Sequence, residues 1–263
     1  MTTDNPVHQI SKEEHFLRKR FPNVVDFIDN RLKHYDGSHD VEHARRVLKN
    51  CCFLSSNTRG VEIAYLASYA HDACDHKYGN AFDLQECLFN SCVKDDMSYN
   101  DAMQVMTIVA NISYSRLRNI GVPTLESSVF AKWRIVSDAD ILEAMGVTGI
   151  VRTIMYQAFK KKPLLETFQY IQGPLFDCLQ HLHHRKSQRE GLIRHKFTIF
   201  FMSELHDGNS LYNEVTKQIY ERGKQKSSFC KTWNSILEFS NGKCQWLHSQ
   251  MVHESNFGTI HMI

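Results

Sequence analysis

The sequence predicts an all-α protein, on three observations. Apolar residues recur three and four apart along most of the chain, capping patterns precede several of those runs, and no alternating run of β-branched residues is long enough for a sheet. Ser11-Lys12-Glu13-Glu14 has the form of a capping box, and Val24, Phe27, Ile28 and Leu32 then repeat at helical spacing. Asp36-Gly37-Ser38 reads as a stop and a turn. Either Ser38 or Asp40 can cap the next helix, on which Val41, Ala44, Val47, Leu48 and Cys51 share a face. Residues 60–70 form the helix that ends on His71-Asp72. Residues 81–93 and 98–113 read as two more, the second capped by Ser98. Gly121-Val122-Pro123 breaks the pattern before a helix over 124–145. Residues 146–162 follow and stop at Pro163; beyond a break near Gly173-Pro174, residues 175–184 and 187–205 complete the series. The polar, glycine-containing stretch after His206 divides a main domain, residues 1–206, from a C-terminal helical appendage, residues 207–263, whose last part lacks any pattern.

Composition narrows the function classes. A net charge of +2 over 263 residues gives no concentrated basic face, so nucleic acid is not an expected partner. No apolar stretch approaches the roughly 18 residues of a membrane span, and Met1-Thr2-Thr3-Asp4 does not open a signal peptide. The eight cysteines contain no C-x-x-C pair and read as reduced thiols, several of them in the core. A cytoplasmic protein is the expectation. Histidine, at 15 residues, is the unusual count, and it motivates a look for metal ligands.

His and Asp gather in helical contexts at three places: His39-Asp40-Val41-Glu42-His43, Ala70-His71-Asp72-Ala73-Cys74-Asp75 and Asp138-Ala139-Asp140. His39 and His43 lie four apart and share a helix face. Neither that spacing nor the His71-Asp72 dipeptide is specific by itself; surface or capping residues explain each. Taken together they are harder to dismiss. Four polar side chains on inward-facing helices cost roughly 2–7 kcal/mol apiece when unpartnered, and one shared cation removes that cost. Neutral imidazole and carboxylate are the ligands a divalent cation accepts near neutral pH.

His43, His71-Asp72 and Asp140 resemble the H…HD…D signature of the HD-domain metal-dependent phosphohydrolases. His39-Asp40-Val41-Glu42-His43-Ala44-Arg45-Arg46-Val47 and Ala70-His71-Asp72-Ala73-Cys74-Asp75-His76-Lys77-Tyr78 are similar to the first two motifs of that superfamily's small stand-alone nucleotide hydrolases. Segments at 108–114, 138–146 and 149–152 follow in the same order, so the resemblance covers about residues 20–206. It implies an HD/PDEase-like helical bundle in which His43, His71, Asp72 and Asp140 hold one divalent ion. Asp138 is then a supporting residue. Mn²⁺ or Mg²⁺ is the favoured ion, with Fe²⁺, Co²⁺ or Ni²⁺ also suited to a thiolate-free shell. The resemblance gives Asp75 the task of orienting or deprotonating water and His39 that of protonating the leaving group. His76 joins them as a catalytic candidate, and Lys77 and Arg152 as phosphate contacts. Ile141 stands where relatives often carry a basic residue, and Tyr78, Tyr114 and Tyr156 are aromatics that can stack a base.

The implied activity is hydrolysis of nucleotides, from (d)NTP to (d)NMP and pyrophosphate. On the same motifs the alternatives are a 5′-nucleotidase or a hydrolase of ppGpp or cyclic nucleotides. A reading of another class is a catalytically silent HD module that binds nucleotide without turnover. The expected partner is a nucleotide or other phosphorylated small molecule, and the appendage is assigned a homodimer contact.

Overall fold

The computed structural model describes residues 11–55, 60–75 and 79–208, with side chains described as far as Met202. Over that span it is helical and contains no strand, as the periodicity requires. Helix α1 (Lys12–Arg20) begins where the Ser11 hydroxyl accepts the Glu14 N–H at 3.1 Å. Pro22, whose missing N–H costs nothing at a first turn, opens α2 (Pro22–Leu32). That helix start is closed from a distance by Asp95, whose carboxylate accepts from Asn23 N at 3.1 Å and Val24 N at 2.9 Å. Helix α3 (Val41–Leu54) is capped by Asp40, which takes the His43 N–H at 3.0 Å. Ser38, the other candidate, turns instead toward Asp36.

Helices α4 (Val61–Ala70), α5 (Ala81–Lys94) and α6 (Tyr99–Asn111) follow, the last capped by Ser98 as expected. The periodicity predicts a single helix over 98–113 and no helix over 114–120. In the structure α6 stops at Asn111, and Ser113 caps a short α7 (Tyr114–Ile120) by accepting Arg116 N–H at 3.3 Å. A serine at the tail of one apolar pattern is equally the start of the next, because its hydroxyl competes for backbone N–H groups. Helix α8 (Ser127–Glu143) is central. Trp133, Ile135, Val136, Ala139, Ile141 and Leu142 are buried on all its sides, and it packs on α3, α4, α6 and α11. Helices α9 (Gly146–Phe159) and α10 (Leu164–Tyr170) lead into a π turn at Ile171–Leu175 rather than the expected break. Pro174 has no N–H to give the turn before it, and the wider ring absorbs that loss. A 3₁₀ turn at Cys178–His181 precedes α11 (Arg185–Gly208). The expected domain boundary after His206 thus falls in the last turn of α11, and the appendage beyond Gly208 lies outside the described residues.

A charged network braces the first four helices. Glu14, 2% exposed, accepts from Arg18 at 2.7 Å and from Arg45 at 3.0 Å, while Asp29 accepts from Arg18 at 2.7 Å and from the Tyr69 hydroxyl at 2.8 Å. Each buried charge has its counterion, as burial demands. Cys51, Cys74, Cys92 and Cys178 are buried thiols and Cys87 is an exposed one. No described helix is long and apolar enough to cross a membrane.

Candidate metal centre

Helices α3, α4 and α8 pack against one another, and each brings a ligand type to the point where they meet. His43 comes from the first turn of α3, which Asp40 caps, so the ring is set by a fixed helix start. Helix α4 approaches closely because Ala64, Ala67 and Ala70 are fully buried small residues. It ends at His71, and Asp72 lies in the turn beyond. Asp140 projects from α8. The two imidazole Nε2 atoms lie 3.1 Å apart. Asp72 Oδ2 is 3.4 Å from each, and Asp140 Oδ1 is 3.6 Å from each.

Such a set suits a cation. His71 Nδ1 lies 2.9 Å from the Ser68 carbonyl, which can only accept, so in the neutral ring Nε2 carries the lone pair. Asp72 Oδ2 is buried without a hydrogen-bond partner. Lone pairs and carboxylate oxygens packed this tightly repel unless positive charge sits among them, and His43, His71 and Asp72 have the mutual spacing of a metal site. Without an ion a proton takes that part. Burial lowers the His71 pKa, yet Asp72 and Asp140 overcome it and push the imidazole up to about 9. Burial likewise acts to raise Asp72 and Asp140, but the facing imidazoles hold both carboxyls below the ordinary range. No thiol joins the group, so the nitrogen and oxygen set fits the divalent ions named from the sequence.

The two aspartates of Asp138-Ala139-Asp140 part company. Asp140 faces the imidazoles, whereas Asp138, with no exposed side-chain surface, faces the opposite way. One Asp138 oxygen accepts from His183 N and His183 Nδ1, both at 2.8 Å; the other accepts from His184 N and His184 Nδ1, both at 2.9 Å, and from the Ser187 hydroxyl. Burial would raise its pKa, but these donors hold the carboxyl well below the usual range. Asp138 therefore ties α8 to the start of α11. Further along, Arg194 donates to the Leu142 carbonyl at 2.6 Å and to Asn50 at 3.1 Å, and Asn50 donates to the Ala139 carbonyl at 3.0 Å.

A cavity of about 850 Å³ opens beside the four residues. Asp75, His39, Tyr114, Tyr156 and Arg152 line it together with them. Arg152 lies in its wall and donates through Nε to the Ser38 carbonyl at 2.8 Å. The Tyr156 ring meets His39 edge-on at 5.5 Å between centroids, and the Tyr114 hydroxyl donates to the Pro174 carbonyl at 2.6 Å. Lys186 lies over the Phe53 ring, and Lys160 over the Tyr156 and Phe159 rings. Ile141 is 2% exposed and belongs to the core. His76, Lys77 and Tyr78 lie outside the described residues.

Sequence reasoning passed over Glu143, Asp36 and the α7 wall of the cavity. Glu143 is buried against Arg46 of α3, and its Oε1 lies 3.9 Å from His43 Nδ1. The pairing needs α3 and α8 side by side, across 97 positions of sequence, and no local pattern signals it. Gly149, also in the cavity wall, is set by a backbone approach: a Cβ there would stand 2.0 Å from the Ala144 carbonyl oxygen. Gly149→Ala is expected to cost about 1–3 kcal/mol in urea unfolding, the range for forced overpacking. A change under about 0.5 kcal/mol, an ordinary surface effect, would mean the approach is not there.

The arrangement of helices is similar to that of solved structures, one of which is described as an HD-superfamily hydrolase. Among solved structures it resembles Bacillus subtilis YpgQ in complex with ADP, at 20% identity and a TM-score of 0.61, over 73% of this chain and 96% of that one. An HD-superfamily hydrolase from Bacillus thuringiensis matches at 21% identity and a TM-score of 0.56, over 72% of this chain and 96% of its own. A Lactobacillus plantarum protein matches at 16% identity and 0.59, over 76% of this chain and 100% of its own. No family model matches the sequence. No curated protein matches it either.

Proposed function

We propose that this protein is a metal-dependent phosphohydrolase acting on nucleotides, with (d)NTP cleaved to (d)NMP and pyrophosphate. The observation that carries the reading is the meeting of two imidazoles and two carboxylates beside a cavity of about 850 Å³, within the size range of small-molecule sites. His43, His71, Asp72 and Asp140 hold the ion, Mn²⁺ or Mg²⁺ in first choice. When bound, it supplies Lewis acidity and an acidified water. Asp75, in the cavity wall, orients the attacking water and accepts its proton. His39 gives a proton to the departing oxygen. Arg152 contributes positive charge to the wall, and His76 and Lys77 are proposed as further phosphate-side residues. Support for a nucleotide comes from the similar YpgQ fold, which binds ADP, and from Tyr114 and Tyr156 in the wall.

The test is phosphate and pyrophosphate release from a panel of (d)NTPs, nucleoside monophosphates, ppGpp and cyclic nucleotides, with Mn²⁺, with Mg²⁺ and with chelator. Pyrophosphate from the triphosphates, abolished by chelation, is the expected result. Inorganic phosphate from the monophosphates instead would move the assignment to a 5′-nucleotidase. Nucleotide binding without turnover under any metal would leave only a binding module.

A further inference from the structure

His39 does not stand alone in the cavity wall. Its Nδ1 lies 2.8 Å from Ser38 Oγ and 3.3 Å from Asp36 Oδ2, and Ser38 Oγ in turn donates to Asp36 Oδ1. The Asp36 side chain is 3% exposed and Ser38 is 2% exposed. The turn is fixed from both sides: His39 N donates to the Asp36 carbonyl at 2.9 Å, and Arg152 Nε donates to the Ser38 carbonyl at 2.8 Å. A carboxylate buried behind one ring nitrogen chooses which nitrogen keeps a proton and which one faces the substrate.

We propose that Asp36, with Ser38 as its relay, is a positioning residue for His39. It holds Nδ1–H so that Nε2 delivers the proton to the leaving oxygen; this rests on the phosphohydrolase reading above. The proton balance is simple. For transfer the ring must carry a proton on both nitrogens, with Nδ1–H directed to Ser38 Oγ and Asp36; burial lowers the His39 pKa, and the Asp72 and Asp36 carboxylates oppose that. As the P–O bond breaks, its electron pair stays on the leaving oxygen and takes the Nε2 proton. Water supplies the new P–O bond and gives up one proton. The ring is left neutral, protonated on Nδ1 toward Asp36, and regains its Nε2 proton from solvent. Nothing in this cycle asks Asp36 to touch substrate. Its simpler role, an Asx-type turn made by accepting Ser38 N–H at 2.9 Å, is structural and predicts a different pattern of losses.

The two roles separate in a double-mutant cycle on the Mn²⁺-loaded full chain, with the nucleoside triphosphate it hydrolyses fastest. Asp36→Asn is expected to lower kcat about 10- to 100-fold with KM changed less than about threefold, a share of the 10²–10⁴ that proton transfer contributes. Made on top of His39→Ala, the same change should cost less than about twofold, because a residue acting only through His39 has nothing left to position. Ser38→Ala, the milder variant, should show the same dependence with a smaller loss. The p-nitrophenyl ester of the matching nucleoside monophosphate, whose leaving anion needs little help from a proton, should be slowed less than the triphosphate. Equal losses in the presence and absence of His39 would overturn the assignment and leave Asp36 a turn residue. A wild-type protein inert toward every phosphate ester would instead overturn the phosphohydrolase reading itself, and the two failures are distinct.

Discussion

His71→Ala is expected to leave a folded protein that has lost both its metal and its turnover. Residues that merely orient a ligand are worth 10- to 100-fold, so removing a ligand should lower Mn²⁺ affinity and kcat by more than about 100-fold. His71 shares Nε2-to-oxygen distances of 3.4 and 3.6 Å with Asp72 and Asp140, so its loss opens the set from the centre. His71 stands at the C-terminal end of α4, where alanine keeps good helix propensity, so folding is expected to persist. Metal affinity should also depend on pH in a stated direction. The ion needs His71 deprotonated, and without metal that imidazole is pushed up to about 9. Below about pH 9 the apparent affinity of the wild type should therefore rise about tenfold per pH unit, one proton being released. His71→Ala should abolish that slope. A wild type whose Mn²⁺ affinity is flat between pH 6 and 8, measured by calorimetry, would show that no ion displaces a proton here.

Asp138→Ala should do the opposite: a large loss of stability with the metal site chemically intact. The carboxylate has no exposed surface and takes two backbone N–H groups, two imidazoles and a hydroxyl. Removing one side of such a buried cluster costs about 3–5 kcal/mol, a large share of the 5–15 kcal/mol that holds a protein folded. Urea unfolding of the metal-free variant against wild type reads it, and a loss below about 1 kcal/mol would refute the assignment. The pH dependence follows from the depressed pKa. The folded carboxyl titrates below its unfolded value near 4, so its contribution is complete above about pH 4 and is lost as pH falls through the lower, folded value. Asp138→Asn, which cannot ionise, should flatten that part of the acid limb. Two aspartates two residues apart would thus fail in different ways, one through the ion and one through the fold.

The division between what was legible and what was not runs along interaction range. Helix starts at Ser11, Asp40 and Ser98 were readable because a cap is a contact three residues long. The His and Asp segments were readable because each is local, and their placement on inward faces follows from the apolar stripes around them. Where a local signal has two outcomes, pattern alone does not choose: Ser113 suits a helix tail as well as the cap of α7 it is, and Gly173-Pro174 suits a break as well as the π turn it is. At the Asp138-Ala139-Asp140 triplet spacing could not choose, because the choice depends on what stands on each side of α8. His43 and His71 lie on one side of it and the start of α11 on the other.

By itself the sequence determined the helical class, most helix starts and the residue types a cation needs, all of which are set by neighbours within a turn or two. Only the tertiary structure decided that Asp138 turns to the start of α11, that Glu143 and Arg46 stand behind His43, and that Asp36 reaches His39 through Ser38. Direction in space is fixed by how helices pack, and packing is a property of the whole core rather than of any segment in it.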